Sequence, residues 1–204
     1  MEELIQNALE AMRQRGFDVH QVQSAQEARE LVLSMIPAGA SVGVGGSMTI
    51  RELDLPPALE ARGSKVWWHW LNLAERDMIY ENARKADFYL ASSNAVTRDG
   101  SLVNIDGQAN RVAAMIQGPK HVILVIGSQK VVDGGVNAAI ARIRAQACPP
   151  NAKRQKLDTP CARTGVCNQS ECGDDCMCRV TAILDHPPRG RTVTVIVTEE
   201  AIGY

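Results

Sequence analysis

The chain has 204 residues, of which 45% are hydrophobic and 22% are charged, and its formal net charge at pH 7 is -1. A chain of this length and composition can bury a substantial core, which excludes a disordered protein and predicts a single globular domain over residues 1–204. Because the charge is balanced and the lysines and arginines are scattered, we expect neither nucleic acid nor an anionic membrane as a partner.

The N-terminal segment does not resemble an export signal. MEELIQNALEAMRQRG is an acidic amphipathic pattern, and no later apolar run approaches the roughly 20 residues that a membrane span needs. The sequence therefore predicts a cytoplasmic protein. The six cysteines would then lie in a reducing compartment, which favours free thiols, metal ligands or redox chemistry over structural disulfides.

Strands and helices are expected to alternate along most of the chain. Apolar residues recur at helical spacing near the N-terminus, and Gly16 follows as a cap. A short strand, FDVHQV, precedes a helix that begins with the capping pair Ser24 and Glu27 and stops at Pro37. Helical segments then separate the predicted strands ASVGVGG, KVWWHW, FYLA and HVILVIG. This alternation predicts an α/β fold with a mostly parallel sheet and helices on both faces.

The last third of the chain departs from this alternation. GGVNAAIARIRAQA predicts a helix that ends at Cys148, Pro149 and Pro150. Residues 151–178 form a predicted cysteine-rich loop, which we interpret as an insertion rather than a second domain. The segments RVTAIL and RTVTVIVTEE are then predicted strands that rejoin the main sheet.

A glycine-rich turn, VGVGGSMT, lies where a predicted parallel strand meets a helix. Free backbone N–H groups at such a place predict a phosphate or carboxylate site. The predicted site residues of this turn are Gly43, Gly45, Gly46, Ser47 and Thr49. The spacing matches neither the dinucleotide fingerprint nor the nucleoside triphosphate loop, and a plain tight turn with Ser47 as the helix N-cap explains the same residues. Glu52, one turn into the helix, is a weak candidate for an acid or base.

A polar run lies between the FYLA and HVILVIG strands. Asp99-Gly100 predicts a protruding hairpin, and Asp106-Gly107 predicts a turn into the helix GQANRVAAMIQG. So many polar groups between core strands must either satisfy one another or face a ligand. The predicted ligand-binding residues of the run are Asn94, Asn104, Asp106, Asn110 and Arg111.

The sequence predicts more specific roles for three residues in or near this run. Arg111 would clamp a carboxylate or phosphate with two parallel hydrogen bonds. Asp106 is the second weak catalytic candidate, as a base or nucleophile. Lys130 follows the HVILVIG strand closely enough to reach the crevice, but we expect it to be a solvated surface lysine.

Five cysteines fall within one short segment, at positions 161, 167, 172, 176 and 178. Thiolates are soft donors for zinc or an iron–sulfur cluster, and converging ligands can replace a hydrophobic core in a loop. The spacing contains no C-x-x-C pair, so packed free thiols and a redox disulfide stay open as alternatives. Cys148 is expected to be a small packed residue.

Several segments resemble the LUD family, the lactate utilisation domain. They are VGVGGSMTIREL, ADFYLASSNAVTRDGSLVNIDGQANRVAAMIQGPKHVILVIGSQKVV, the final VTEEAIGY and the cysteine-rich segment, which together cover most of the chain. The resemblance implies a NagB/RpiA/CoA transferase-like sheet and an accessory role in oxidising L-lactate to pyruvate in bacteria, alongside iron–sulfur partner proteins. For a zinc or iron–sulfur site it favours Cys161, Cys167, Cys172 and Cys178.

The chain departs from the related sugar-phosphate isomerases at the positions of acid–base chemistry. Ser93-Asn94 stands where those enzymes carry an aspartate, and Arg111 stands where they carry a lysine. Asparagine is no general base and arginine stays protonated, so binding is favoured over proton transfer. The sequence thus predicts an accessory or ligand-binding protein for a small carboxylate or a phosphorylated or CoA ligand. The alternatives are a stand-alone isomerase or CoA-transferase-like enzyme and a cysteine-centred metal or redox module.

Overall fold

A computed structural model describes residues 2–204, so Met1, the first residue of the predicted domain, lies outside the described residues. The strands, in chain order, are β1 (Asp18–Val22), β2 (Ser41–Val44), β3 (Lys65–Trp68), β4 (Phe88–Ala91), β5 (Ala95–Thr97), β6 (Leu102–Asp106), β7 (His121–Gly127), β8 (Val131–Val132), β9 (Val180–Leu184) and β10 (Thr192–Thr198). The α-helices, in chain order, are α1 (Glu2–Gln14), α2 (Ala25–Met35), α3 (Met48–Glu52), α4 (Leu55–Ala61), α5 (Arg76–Lys85), α6 (Asn110–Gln117), α7 (Val136–Arg142), α8 (Cys148–Arg154) and α9 (Pro160–Thr164). None of the helices within residues 2–204 combines the length and the apolarity that crossing a bilayer requires.

Six strands form one parallel sheet in the order β1-β10-β7-β4-β2-β3. The central strand β7 is apolar at successive positions because both of its faces are covered. Val122, Leu124 and Ile126 pack on the side of α1, α5 and α6, whereas Ile123 and Val125 pack on the side of α2, α3 and α4. The predicted α/β fold, a mostly parallel sheet with helices on both faces, is confirmed.

A second sheet, in the order β8-β5-β6-β9, carries the polar run. Strands β5 and β6 form the predicted antiparallel hairpin, and Gly100 in its turn has a φ of +85°. The hairpin does not protrude, because a Cβ on Gly100 would lie 2.7 Å from the backbone nitrogen of Met12 in α1. Leu102 and Val103 are fully buried on opposite faces. The predicted protrusion is wrong, since a hairpin that is apolar on both faces must be covered on both.

Only one of the two C-terminal strands joins the main sheet. β10 lies between β1 and β7, while β9 pairs antiparallel with β6 in the second sheet. The difference follows from burial, because β10 is buried at six successive positions and β9 is exposed at most of its positions. A strand covered on both faces suits the centre of a parallel sheet, and a strand with an exposed face suits an edge.

The helix that begins at Val136 does not end at the Cys148-Pro149-Pro150 segment, so that prediction is wrong. A π-helical turn over Ile143–Ala147 follows α7, and α8 then begins at Cys148. Proline is tolerated in the first turn of a helix, where its missing N–H has no intrahelical partner. The predicted loop over residues 151–178 therefore starts inside α8, and it also contains α9.

Candidate functional site

A cavity of about 750 Å³ lies at the carboxyl edge of the main sheet. The turns that follow β2, β3, β4 and β7 contribute to its lining. The chain leaves β2 for β3 on one side and leaves β4 for β7 on the other, so the strand order reverses between β2 and β4. Open α/β sheets bind ligands at such a reversal. The predicted crevice is at this edge.

Many of the predicted ligand-binding residues line this cavity. They are Gly46, Ser47, Thr49, Asn94, Asp106, Asn110 and Arg111. Gly43 and Gly45 are not in the lining. At both positions a side chain would collide with neighbouring atoms. A Cβ on Gly43 would lie 2.4 Å from the carbonyl oxygen of Ala83, so glycine lets α5 approach β2. A Cβ on Gly45 would lie 2.9 Å from the hydroxyl of Tyr89.

The polar groups of the glycine-rich turn are engaged by the protein itself. The Ser47 hydroxyl accepts the N–H of Ile50 at 3.3 Å, which is the N-cap of α3 predicted as the alternative. The N–H of Gly45 donates to the carbonyl of Leu90 at 2.9 Å. Glu52 accepts the N–H of Gly203 at 2.7 Å and is not in the cavity lining. These contacts favour a positioning role for Glu52 over the acid–base role, which stays a prediction.

Arg111 is buried in the first turn of α6, and neighbouring groups bind its whole guanidinium. Nε and Nη2 donate to Asp106 Oδ1 at 3.1 and 2.9 Å. Nη1 donates to the Ser92 carbonyl at 2.9 Å and to Asn104 Oδ1, and Nη2 donates to Asn94 Oδ1 at 2.8 Å. Because these bonds engage the five guanidinium N–H groups, the geometry favours a positioning role for Arg111. Its role as a ligand clamp stays a prediction.

The remaining polar residues of the run complete this network. Asp106 Oδ2 accepts the N–H of Val112 at 2.9 Å, which caps the start of α6, where the side chain of Ala109 cannot. Asn104 Oδ1 also accepts the N–H of Asn94 at 3.1 Å, although Asn104 is fully buried and outside the cavity lining. The network holds the loop after β4 against β6, so the base or nucleophile role of Asp106 stays a prediction.

Lys130 is buried, and the prediction of a solvated surface lysine is wrong. It is 2% exposed and lines the cavity. Its Nζ donates to the hydroxyls of Thr49 at 2.8 Å and Ser92 at 3.1 Å. The reason is a 3-10 turn over Ser128–Lys130, which follows β7 at the carboxyl edge. The position of GSQK at the end of a central strand was the available signal, since Gly45 and Ser92 follow neighbouring strands at the same edge.

The environment of Lys130 disfavours a charged amine. Burial is the main cause, and the guanidinium groups of Arg142 and Arg111 add to it, while Glu52 opposes them more weakly. Together these effects lower the pKa of Lys130 to about 7. A substantial fraction of the amine is therefore neutral at neutral pH.

Another wall of the cavity is aromatic, and sequence reasoning did not assign it to the site. The rings of His69 and Tyr80 meet edge to face with centroids 4.9 Å apart, and the guanidinium of Arg154 lies 4.5 Å from the ring centroid of Trp70. Burial, and then Arg154, lower the pKa of His69, which favours the neutral form of its imidazole. Tyr80 donates to the side-chain oxygen of Gln108 at 3.1 Å.

The cavity lining has an excess of positive charge. Its basic side chains are those of Arg51, Arg76, Arg111, Lys130 and Arg154. Asp106 is the carboxylate in the lining, and it is already paired with Arg111. Clefts lined by one sign of charge concentrate ligands of the opposite sign, so the cavity is suited to an anion.

Two cysteines at the cavity form a thiol pair that the sequence did not predict. The sulfurs of Cys148 and Cys178 are 3.3 Å apart, and both residues line the cavity. The hydrogen bond with Cys178, and then burial, raise the pKa of Cys148. The same bond lowers the pKa of Cys178 to about 7. The two thiols thus share one hydrogen bond, in which either sulfur can be the donor.

The four cysteines predicted as metal ligands lie near one another, since burial and then neighbouring thiols raise the pKa values of Cys167 and Cys172. Their set is Cys161, Cys167, Cys172 and Cys178. Within residues 2–204, no three histidine, cysteine, aspartate or glutamate side chains form a group that could hold a metal ion. The Cys161 sulfur instead contacts the Thr159 hydroxyl at 3.3 Å. A zinc or iron–sulfur site at these cysteines therefore stays a prediction.

The comparisons with known proteins agree with this fold. The family model of the LUD domain matches residues 5–197. Among solved structures, the chain is similar to a DUF162 family protein from Deinococcus radiodurans, with a TM-score of 0.55, 14% sequence identity and 97% of each chain covered. At this level of identity the likeness supports the fold alone. No curated protein matches the chain.

Proposed function

Since the chain belongs to the LUD domain family, we propose that it is an accessory or ligand-binding protein of bacterial L-lactate oxidation to pyruvate. Its ligand would be a small carboxylate or a phosphorylated or CoA molecule, bound at the carboxyl edge of the main sheet. The observation that carries this proposal is the cation-lined cavity at the strand reversal, with Lys130 buried in its wall. An uncompensated positive lining is stabilised when an anion enters.

The size of the cavity supports a ligand larger than lactate alone. A volume of about 750 Å³ is in the range of pockets that hold drug-sized ligands, and a three-carbon acid would fill only part of it. The aromatic wall formed by His69, Trp70 and Tyr80 offers apolar surface for the rest of a phosphorylated or CoA ligand.

A stand-alone isomerase or CoA-transferase-like enzyme that uses Glu52 or Asp106 has less support. Glu52 binds the N–H of Gly203, and Asp106 binds Arg111 and the N–H of Val112. Neither carboxylate is placed as a free base at the cavity. The proposal therefore keeps ligand binding as the main role. It also keeps the cytoplasmic location, the single domain, the NagB/RpiA/CoA transferase-like architecture and the iron–sulfur partner proteins that the family resemblance implies.

Titration calorimetry tests the ligand site directly. The parent protein is titrated with L-lactate, pyruvate, inorganic phosphate and acetyl-CoA. Lys130→Met is expected to lower the affinity for the bound ligand by roughly tenfold or more, because a hydrogen bond to a charged group is worth about 1.5–3 kcal/mol. Lys120→Met, at an exposed lysine, is the matched control and should bind as the parent does. Equal binding by Lys130→Met and the parent would remove Lys130 from the site, and no binding of any of the four ligands would refute the proposal.

A further inference from the structure

The amine of Lys130 is held in a pattern that suits a neutral nitrogen. Nζ donates to the hydroxyls of Thr49 and Ser92, and these hydroxyls donate to the carbonyls of Ile202 at 3.5 Å and Ser93 at 3.2 Å. A neutral amine has two N–H groups, which the two hydroxyls accept, and its lone pair stays free. An ammonium would have a third N–H.

No carboxylate pairs with this amine. Within residues 2–204 the ion pairs do not include Lys130. The charged groups that face it are Arg111 from α6, Arg142 from α7 and Glu52 from α3, and the two arginines and burial outweigh Glu52. A desolvated lysine beside other cations is the arrangement that makes an amine nucleophilic and suits it to imine formation with carbonyl substrates.

We propose that Lys130 forms an imine with a 2-oxoacid bound in the cavity, an inference that rests on the proposed function because it uses the same anion site. A carbonyl compound supplies the electrophile, and a carboxylate beside the carbonyl matches the cationic lining formed by Arg51, Arg76 and Arg154. A 2-oxoacid carries both groups on adjacent carbons. A hydroxy acid carries the carboxylate alone and cannot react.

The covalent step is balanced without an oxidant or reductant. The lone pair of Nζ attacks the carbonyl carbon, a C–N bond forms, and the electron pair of the C=O bond moves to oxygen. A proton passes from the nitrogen to that oxygen, and a second proton from solvent converts the hydroxyl into water. The water leaves as the nitrogen lone pair closes the C=N bond, which gives a protonated imine.

Reduction with borohydride in the presence of pyruvate tests the inference. The parent protein is incubated with pyruvate at pH 7 and treated with sodium borohydride, and the lysines are mapped by peptide mass spectrometry. With a pKa near 7, about half of the Lys130 amine is neutral, against roughly one part in three thousand for an ordinary lysine. We expect on the order of a hundredfold more adduct at Lys130 than at exposed Lys120. L-lactate in place of pyruvate should give none.

Two further measurements separate failure of this inference from failure of the proposed function. Lys130→Arg removes the nucleophile, so it should give no adduct at residue 130 with pyruvate and borohydride, whereas Lys120→Arg, at an exposed lysine, should give the adduct yield of the parent at Lys130. If this variant does not fold, the comparison of adduct yields at Lys130 and Lys120 in the parent protein tests the inference by itself. Binding of pyruvate and L-lactate without an adduct at Lys130, or equal adduct yields at Lys130 and Lys120, would overturn the inference and leave the proposed ligand site in place. Absence of binding by all the ligands tested in calorimetry would overturn both.

Discussion

Replacement of Lys130 by methionine should change how folding stability depends on pH. In the folded protein, burial and then Arg142 and Arg111 lower the pKa of Lys130 from its ordinary value of 10.5 to about 7. Below pH 7 both the folded and the unfolded chain hold the proton, so the folded state carries the full penalty of a buried ammonium. Between pH 7 and 10.5 the unfolded chain binds more protons than the folded one, so this group makes stability rise with pH.

The size of the effect follows from the two pKa values. Each tenfold change in proton affinity corresponds to about 1.36 kcal/mol. Over the interval between the two pKa values, the contribution of Lys130 to the free energy of unfolding therefore changes by on the order of 5 kcal/mol. Methionine has a similar length and no charge. The hydroxyls of Thr49 and Ser92 keep their bonds to backbone carbonyls, so the substitution leaves no buried donor without a partner. Lys130→Met should therefore exceed the parent most in its free energy of unfolding below pH 7. This difference in free energy should shrink as the pH rises.

Urea unfolding of the parent and Lys130→Met, from pH 6.5 to 9.5 with a phosphine reductant, measures this difference. Titrating groups common to both proteins largely cancel when the two free energies of unfolding are subtracted. The difference should change by about 3 kcal/mol across this range, whereas Lys120→Met should differ from the parent by a constant amount. A constant difference for Lys130→Met would refute the reasoning, because it would mean that the amine titrates alike in the folded and unfolded states.

Three other substitutions test the packing and the thiol pair. Gly43→Ala should lower the free energy of unfolding by about 1–3 kcal/mol, because its Cβ would lie 2.4 Å from a carbonyl oxygen of α5, whereas Gly135→Ala has open space and should be nearly neutral in the same urea assay. Arg111→Lys should lower stability by about 3–5 kcal/mol, since lysine has three N–H groups in place of five and loses at least two of the hydrogen bonds that Asp106, Asn94 and Asn104 accept from Arg111; an unchanged thermal midpoint would contradict this. Cys148→Ala should raise the pKa of Cys178, which Cys148 lowers to about 7, and so slow iodoacetamide alkylation at pH 7; equal rates would exclude that hydrogen bond.

Local features of the sequence predicted several elements correctly. Ser24 caps α2 by accepting the N–H of Glu27 at 3.1 Å, and Gly100 provides the positive φ of the hairpin turn. The apolar runs FYLA and HVILVIG form adjacent parallel strands. These features depend on a few neighbouring residues, so backbone sterics, capping bonds and side-chain period are sufficient to predict them.

The errors arose where a residue's role depends on distant parts of the chain. Pro149 and Pro150 usually end a helix, yet the preceding π-helical turn places them in a first turn. The strand β9, VTAIL, resembles β10, the next strand along the chain, in sequence. Because most of its residues are exposed, β9 lies at the edge of the other sheet, paired with β6. Periodicity cannot tell which sheet will accept a strand, because the available partner is fixed by the packing of the whole domain.

By itself, the sequence determined the alternation of strands and helices, the edge at which polar turns gather and the family to which the chain belongs. Only the tertiary structure decided which polar side chains form hydrogen bonds within the protein and which can face a ligand. In the folded protein, neighbouring groups accept hydrogen bonds from the guanidinium of Arg111. Lys130 contacts Thr49, a residue 81 positions away along the chain. Burial and electrostatic fields depend on contacts between such distant residues, so a lysine that looks like a surface residue in the sequence is buried in the wall of the cavity with a lowered pKa.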